Sequence, residues 1–105
     1  MLTLQKSWLR TLSVAAENLV KKYIEGVEDV LKELKLKISP GEASVKYSAV
    51  VQVLDLAKRY YEDSVHYLES KRDYLTSLTC IVYSEGLLDA LRFLGLVDFR
   101  WRFEK

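Results

Sequence analysis

The 105-residue sequence predicts an all-α fold, an up-down-up three-helix bundle with two long helices, a shorter third helix and an aromatic C-terminal tail. Three observations carry that reading. Apolar residues recur at alternating spacings of four and three over long stretches, the seam of helices packed at shallow angles. Only four glycines and one proline are available to break the chain. The breaks fall at two places, "ISPGEAS" and "ESKRDYL", and each carries a helix-capping signal.

The first helix is expected over 3–38. Val20, Ile24, Val27, Leu31, Leu34 and Ile38 form its stripe, and Leu12, Ala15, Leu19, Tyr23 and Val30 lie beside it. Glu17–Lys21, Glu28–Lys32 and Glu33–Lys37 are i,i+4 pairs that mark its solvent side. The second helix is expected over 40–70, opened by a capping box with Ser39 as N-cap, Pro40 at the first helical position and Glu42 three residues after the cap. Its stripe, Ala43, Tyr47, Val50, Leu54, Ala57, Tyr61, Ser64 and Leu68, contains no charge. Asp73 can cap a third helix over 73–94, which Gly95 stops. At 1.5 Å per residue the first two helices measure roughly 45–50 Å and the third about 30 Å. Turns this short make neighbours antiparallel.

The difference in length leaves a groove between the far ends of the longer helices, and the tail, 95–105, is suited to fill it. Phe99, Trp101 and Phe103 alternate with Arg100 and Arg102, which places three aromatics on one side of an extended segment. The alternative is a basic-aromatic strip on which bases stack. Two arginines are a thin footprint for nucleic acid, whose binding normally shows a larger basic cluster. A small-ligand pocket at the uneven helix ends is a further alternative.

The third helix holds the unusual stretch, "IVYSEGLLDALRFLGL". At about 100° per residue, Cys80, Tyr83, Leu87, Ala90 and Leu94 share one side, with Ser77, Ser84, Leu88 and Leu91 next to them. This is the expected core face, and small Ser77 and Ser84 would let a neighbouring helix approach closely. Glu85 and Asp89 fall on the other side, with Arg92 three residues beyond Asp89. Desolvating two adjacent carboxylates costs several kcal/mol each unless both are paired, so they are expected away from the core. That same side carries Leu75, Leu78, Val82, Phe93 and Leu96, so the helix is apolar nearly all round. Such a helix is covered on more than one side, here by the tail or by a second protomer. Gly86 would permit a close backbone approach at about 1 kcal/mol of helix propensity. The candidate interaction surface is therefore Leu78, Val82, Glu85, Gly86, Asp89 and Phe93 with Phe99 and Trp101 of the tail.

Half of the residues are hydrophobic and 30% are charged, the balance of one globular domain, and the net charge of +1 gives no bulk attraction to nucleic acid or anionic lipid. The single cysteine, Cys80, forms neither an internal disulfide nor a thiolate metal site and is expected inside the core. Gln5, Lys6 and Arg10 interrupt any leader-like apolar run, and no stretch has the length of a membrane span. A cytoplasmic protein without cofactor is expected. Trp8 reads as an end-cap of the bundle. Arg59 and His66, two turns apart on the polar face of the second helix, are compatible with the loose Arg-x6-His pattern of the helical ribonucleases called HEPN. There the arginine would hold phosphate and the histidine would move protons. The competing reading is a solvated face, with Asp55–Arg59 and Arg59–Asp63 ion pairs. Asp63-x-x-His66 has the spacing of bundle metal ligands, but a di-iron site needs two such pairs and two more glutamates. No phosphate loop or hydrolase triad is visible.

The segment Ala57 to Leu96 resembles the archaeal domain-of-unknown-function family numbered 357. The likeness rests on Tyr61-Glu62-Asp63-Ser64, on Tyr67-Leu68-Glu69, on Asp73-Tyr74 and on the run Tyr83-Ser84-Glu85-Gly86-Leu87-Leu88-Asp89-Ala90, followed by Leu94-Gly95-Leu96. Asp63, Tyr83, Gly86 and Asp89 are the motif positions it singles out. The family tends to have Ala where Ser64, Ser77 and Ser84 stand, a glycine in place of the "SKR" turn, and a small residue at Leu91. The resemblance implies a three-helix bundle, an archaeal origin and no established activity. Domains of this sort look like accessory pieces joined to nucleotidyltransferase-like enzymes, which implies an adaptor or oligomerisation role, with a homodimer or partner protein, rather than catalysis.

Overall fold

The computed structural model describes residues 2–38 and 44–105, with side chains from Arg10 to Ile38 and from Tyr47 onward. Three helices follow in order, α1 (Leu2–Glu33), α2 (Ser44–Glu69) and α3 (Tyr74–Phe93). A two-residue strand β1 (Lys35–Leu36) lies after α1, and β2 (Val97–Asp98) and a 3₁₀ turn (Arg102–Glu104) lie in the tail. The all-α three-helix bundle expected from the sequence is the fold observed. The Ser39-Pro40-Glu42 capping box, Ala43 and the Trp8 side chain lie outside the described residues and side chains.

On α1 the buried residues are Val20, Ile24, Val27 and Val30, with Tyr23, Leu31, Leu34 and Ile38 packed against them. The predicted neighbouring stripe is open further back, because Leu12, Ala15 and Leu19 are exposed. The α2–α3 turn ends beside Glu17, which pairs with Arg72 of that turn at 3.4 Å. Ahead of that point the described side chains of α1 from Arg10 to Ala15 are exposed. Glu17–Lys21 and Glu28–Lys32 form at 3.4 and 2.9 Å. Glu33–Lys37 does not, because the helix ends at Glu33 rather than at 38, and Glu33 binds Lys105 of the tail instead. Beyond Glu33 the chain extends, and Lys35 and Leu36 pair antiparallel with Asp98 and Val97. Lys37 continues the ladder by donating its N–H to the Leu96 carbonyl at 3.0 Å. The backbone groups that a longer helix would satisfy internally find partners in the tail instead.

The charge-free stripe of α2 is the stripe it buries. Val50, Leu54, Ala57, Ser64 and Leu68 face inward, with Tyr61 half-buried. Opposite them α3 places Ser77, Ile81, Ser84, Leu88 and Leu91. Ser64 and Ser77 exchange hydrogen bonds, each hydroxyl donating to the other's carbonyl at 2.7 Å, and their oxygens lie 3.0 Å apart. One heptad further along, the Ser84 hydroxyl donates to the Ala57 carbonyl at 2.7 Å. All three serines are fully buried and satisfied. Side chains this small let the two backbones come close enough for hydroxyl-to-carbonyl bonds across the interface.

Both ends of α3 follow the predicted signals. Asp73 caps the N-terminus, accepting from the Thr76 N–H at 3.1 Å and from the Thr76 hydroxyl at 2.6 Å. At the C-terminus Gly95 takes φ 75°, its N–H reaches the Arg92 carbonyl at 2.9 Å, and the Leu96 N–H reaches the Leu91 carbonyl at 3.0 Å. This paired arrangement is the Schellman stop, and it turns the chain back toward β1. Gly95→Ala should lower the unfolding free energy by about 1–2 kcal/mol through its left-handed backbone alone, since no atom lies near its missing Cβ. Ser77→Ala should cost about 1 kcal/mol and Ser77→Val more, because added volume would push α2 away. Urea denaturation of the three variants checks the order.

Candidate interaction surface on the third helix

Half of the core face expected on α3 is buried, namely Ser77, Ser84, Leu88 and Leu91, but the face is turned toward Ile81 and away from Cys80, Tyr83, Leu87, Ala90 and Leu94. Ile81 is completely buried and the two serine-bearing turns, at Ser77 and Ser84, face inward, whereas Tyr83, Ala90 and Leu94 are exposed. Cys80 and Leu87 are only half-buried. A helix that is apolar on every side gives phase no contrast to work with. The deciding property is size, since only the serine face can approach the α2 backbone. Cys80 is thus a boundary residue, and burial, with Asp63 and Asp73 nearby, pushes its thiol up, so that it stays protonated.

The tail covers the Asp89 side. Phe99 and Trp101 are buried, each 5% exposed, and their rings meet edge-on at 5.1 Å. The Trp101 indole N–H donates to Asp89 at 2.8 Å. Arg92 lies 3.7 Å from Asp89, binds Glu104 at 2.6 Å, and stands over the Phe99 ring at 5.0 Å. Glu104 also accepts the Trp101 backbone N–H at 3.1 Å. Held by Arg92 and that N–H, its carboxyl falls below the ordinary carboxylate value. The tail therefore lies along α1 and α3 rather than between the far ends of α1 and α2. Arg102 pairs with Glu25 at 3.1 Å and with Asp29, and Lys105 with Glu33 at 2.6 Å, all on α1. Arg102 and Lys105 are thus engaged with this chain's own carboxylates, while Arg100 donates to the Glu104 carbonyl. Alternation holds for Phe99 and Trp101 but not for Phe103, which the 3₁₀ turn swings out to 86% exposure.

Glu85 fares differently from Asp89. Among the described residues it has no hydrogen bond and no ion pair. Burial first, and then the charge of Asp89, raise its pKa above the ordinary 4.5. It faces a cleft of about 620 Å³ between α1, α3 and the tail.

What remains of α3 faces solvent. Leu75 (75% exposed), Thr79, Val82, Gly86, Ala90 and Phe93 (77%) run along one side at helical spacing, flanked by Tyr83 and Leu94. Every exposed residue of this helix is uncharged, since Glu85, Asp89 and Arg92 are all turned partly into the tail contact. Of the predicted surface, Val82, Gly86 and Phe93 are on this outer stripe. Leu78 is half-buried against the core, Glu85 and Asp89 face the tail side, and Phe99 and Trp101 are inside the chain. The sequence places Leu75 on this side without including it in the candidate surface, and sequence reasoning missed Ala90 and Leu94, which it assigned to the core face.

Arg59 and His66 are both exposed on α2, as is Asp63, and the ring of His66 meets Tyr67 edge-on at 5.4 Å. The expected ion pairs of Arg59 with Asp55 and Asp63 do not form. Tyr60 and Tyr83 instead join the outer sides of α2 and α3, with ring centroids 4.5 Å apart. Among the described residues no group of three or more His, Cys, Asp and Glu is placed to hold a metal ion, and no helix is long and apolar enough to cross a membrane.

Fold and surface together define a small three-helix-bundle domain whose third helix is clamped by a tail on one side and bare on another. The family model described as "Protein of unknown function (DUF357)" matches residues 22–97, and the chain belongs to that family. No curated protein and no solved structure gives a match. The match spans the family motif and ends just before Phe99 and Trp101, the residues that cover Asp89.

Two outcomes test this geometry. Trp101→Phe removes the bond to Asp89 and should cost about 2–3 kcal/mol, whereas Phe103→Ala should stay within about 0.5 kcal/mol, as read by urea denaturation. Glu85→Gln should stabilise the fold at pH 7, by a few degrees at most. A raised folded-state pKa means the penalty is complete above that pKa and vanishes as pH falls through it and below the unfolded value, 4.5. Thermal melts of both proteins from pH 7 to pH 4 should therefore converge at the acid end.

Proposed function

We propose that this protein is a cytoplasmic helical interaction module without catalysis of its own, and that α3 pairs with α3 of a second copy. The observation that carries the reading is the uncharged outer stripe of α3, which is exposed along its whole length. Charges are otherwise frequent, 30% of the chain, so a solvent-facing helix side with none favours a covered role. The half-buried thiol of Cys80 suits a reducing compartment.

The stripe is self-complementary. About Ser84, Leu75 and Phe93 lie nine residues to either side, Val82 and Gly86 two, and Thr79 and Ala90 five and six. An antiparallel pair related by a two-fold axis at that point sets Leu75 against Phe93 of the partner and Val82 against Gly86. A knob then meets a hole, because nothing lies within 4 Å of a Cβ at Gly86. Isologous contact is the commonest route to a dimer and needs this kind of pattern. A seam of roughly 30 Å is at the small end of specific interfaces, so the dimer is expected to be of micromolar strength. Light scattering at about 100 μM should give twice the monomer mass, and Val82→Asp should return the monomer with its helicity intact. A strictly monomeric wild type at that concentration contradicts the proposal.

A further inference from the structure

The cleft beside the tail is built differently from the outer stripe of α3, and its chemistry is that of a ligand site. It is lined by Gly26, seven residues before the end of α1, where a Cβ would meet nothing within 4 Å. A glycine at this position costs about 1 kcal/mol of helix propensity relative to alanine and leaves room that any side chain would take. Its walls are aromatic. Tyr23 is half-buried, Trp101 is nearly buried with its indole N–H committed to Asp89, and Phe103, also lining the cleft, is exposed. The volume, about 620 Å³, falls within the range of small-ligand pockets.

One anion is set among those rings. The Glu85 carboxylate lines the cleft, is partly withdrawn from water, and has no cationic partner among the described residues. The nearby cations do not serve it. Arg102, at the rim, is held by Glu25 and Asp29, and Arg92 is held by Glu104 and Asp89. Lys22, also at the rim, is exposed and forms no ion pair with Glu85. An unneutralised carboxylate walled by three aromatic residues is the arrangement that recognises an organic cation, in which ring faces attract the charge and exclude its water.

We propose that this cleft binds an alkylated ammonium group, with Tyr23, Trp101 and Phe103 providing ring faces, Glu85 the counter-charge and Gly26 the room. The group can come from a free amine of choline type or from a methylated lysine side chain, since both present the same cation. The penalty that an unpaired Glu85 imposes on the fold is what such a cation would relieve. The site is on the tail side of α3 and does not rest on the proposed dimer.

The test is a titration of the ¹⁵N-labelled full chain followed by NMR, reading the Gly26 amide and the Trp101 indole N–H. Choline should shift both, with a dissociation constant in the millimolar range or tighter, whereas its neutral isostere 3,3-dimethyl-1-butanol should bind at least about fivefold more weakly. Glu85→Gln should weaken choline by about tenfold, and Phe103→Ala, whose ring is too exposed to support the fold, should do so severalfold. Lys22→Gln should tighten it slightly by removing a repulsive charge. A trimethyllysine peptide binding more than about tenfold tighter than choline assigns the cation to a polypeptide, and comparable affinities assign it to a free amine. Equal binding of the neutral isostere, unchanged affinity in Glu85→Gln, or no shift with about 50 mM choline overturns the proposal.

Discussion

The close contact of α2 and α3 through serine hydroxyls determines where everything else on the third helix goes. Ser64, Ser77 and Ser84 carry no bulk, and each donates to a carbonyl of the facing helix at 2.7 Å. Once those turns are inside, Ile81, Leu88 and Leu91 follow them into the core. The remaining circumference of α3 then has two sectors. One holds Glu85, Asp89 and Arg92; the other holds Leu75, Val82, Gly86 and Phe93. Helices of ordinary amphipathic design present one wet side to solvent. Here the polar sector is the one the chain covers itself, and the apolar sector is the one it leaves open.

That inversion explains the tail. Asp89 accepts the Trp101 indole and neighbours Arg92, which in turn holds Glu104, so each charged group of that sector except Glu85 acquires a partner when the tail closes. Strand pairing of Val97–Asp98 with Lys35–Leu36 starts the return, and the ion pairs of Arg102 and Lys105 with α1 complete it. A carboxylate bound to an indole N–H in a half-buried site is a structural anchor. It accounts for Asp89 without recourse to catalysis. Glu85, one turn earlier, is left with burial and no partner, which is why the two carboxylates, four residues apart, have separate meanings.

Much of the bundle was legible from local signals. The charge-free stripe from Val50 to Leu68, the Asp73 cap and the Gly95 stop are each decided within a few residues, and each appears where the periodicity and capping rules put it. The end of α1 was not legible, because Lys35 and Leu36 leave the helix for a partner sixty residues away. The phase of α3 was misread for a different reason. Apolarity distinguishes nothing on a helix that is apolar all round, so the expected core face took in Cys80 and Tyr83 together with Ser77 and Ser84, and only the serine half of it is buried. In the fold, size and hydroxyl donors decide the matter. The same helix did yield the separation of Glu85 and Asp89 from the core, since the cost of desolvating two adjacent carboxylates without partners is large wherever the exact phase falls. The Trp101–Asp89 bond, twelve residues apart through a reversing tail, lay beyond any local rule.

Two features of the third helix, its outer stripe and the Glu85 cleft, are on different sides and answer to different chemistry. The stripe is central to the account, because it carries the proposal that the bundle pairs with a second copy. The most direct measurement is an isotope-filtered NOE experiment on a sample mixing ¹³C-labelled and unlabelled protein. The account predicts intermolecular contacts between the Val82 methyls and the Gly86 α-protons, and between Leu75 and the Phe93 ring. Intermolecular contacts confined to Leu12 and Leu19 of α1, or none at a concentration where the stripe should be paired, would contradict it.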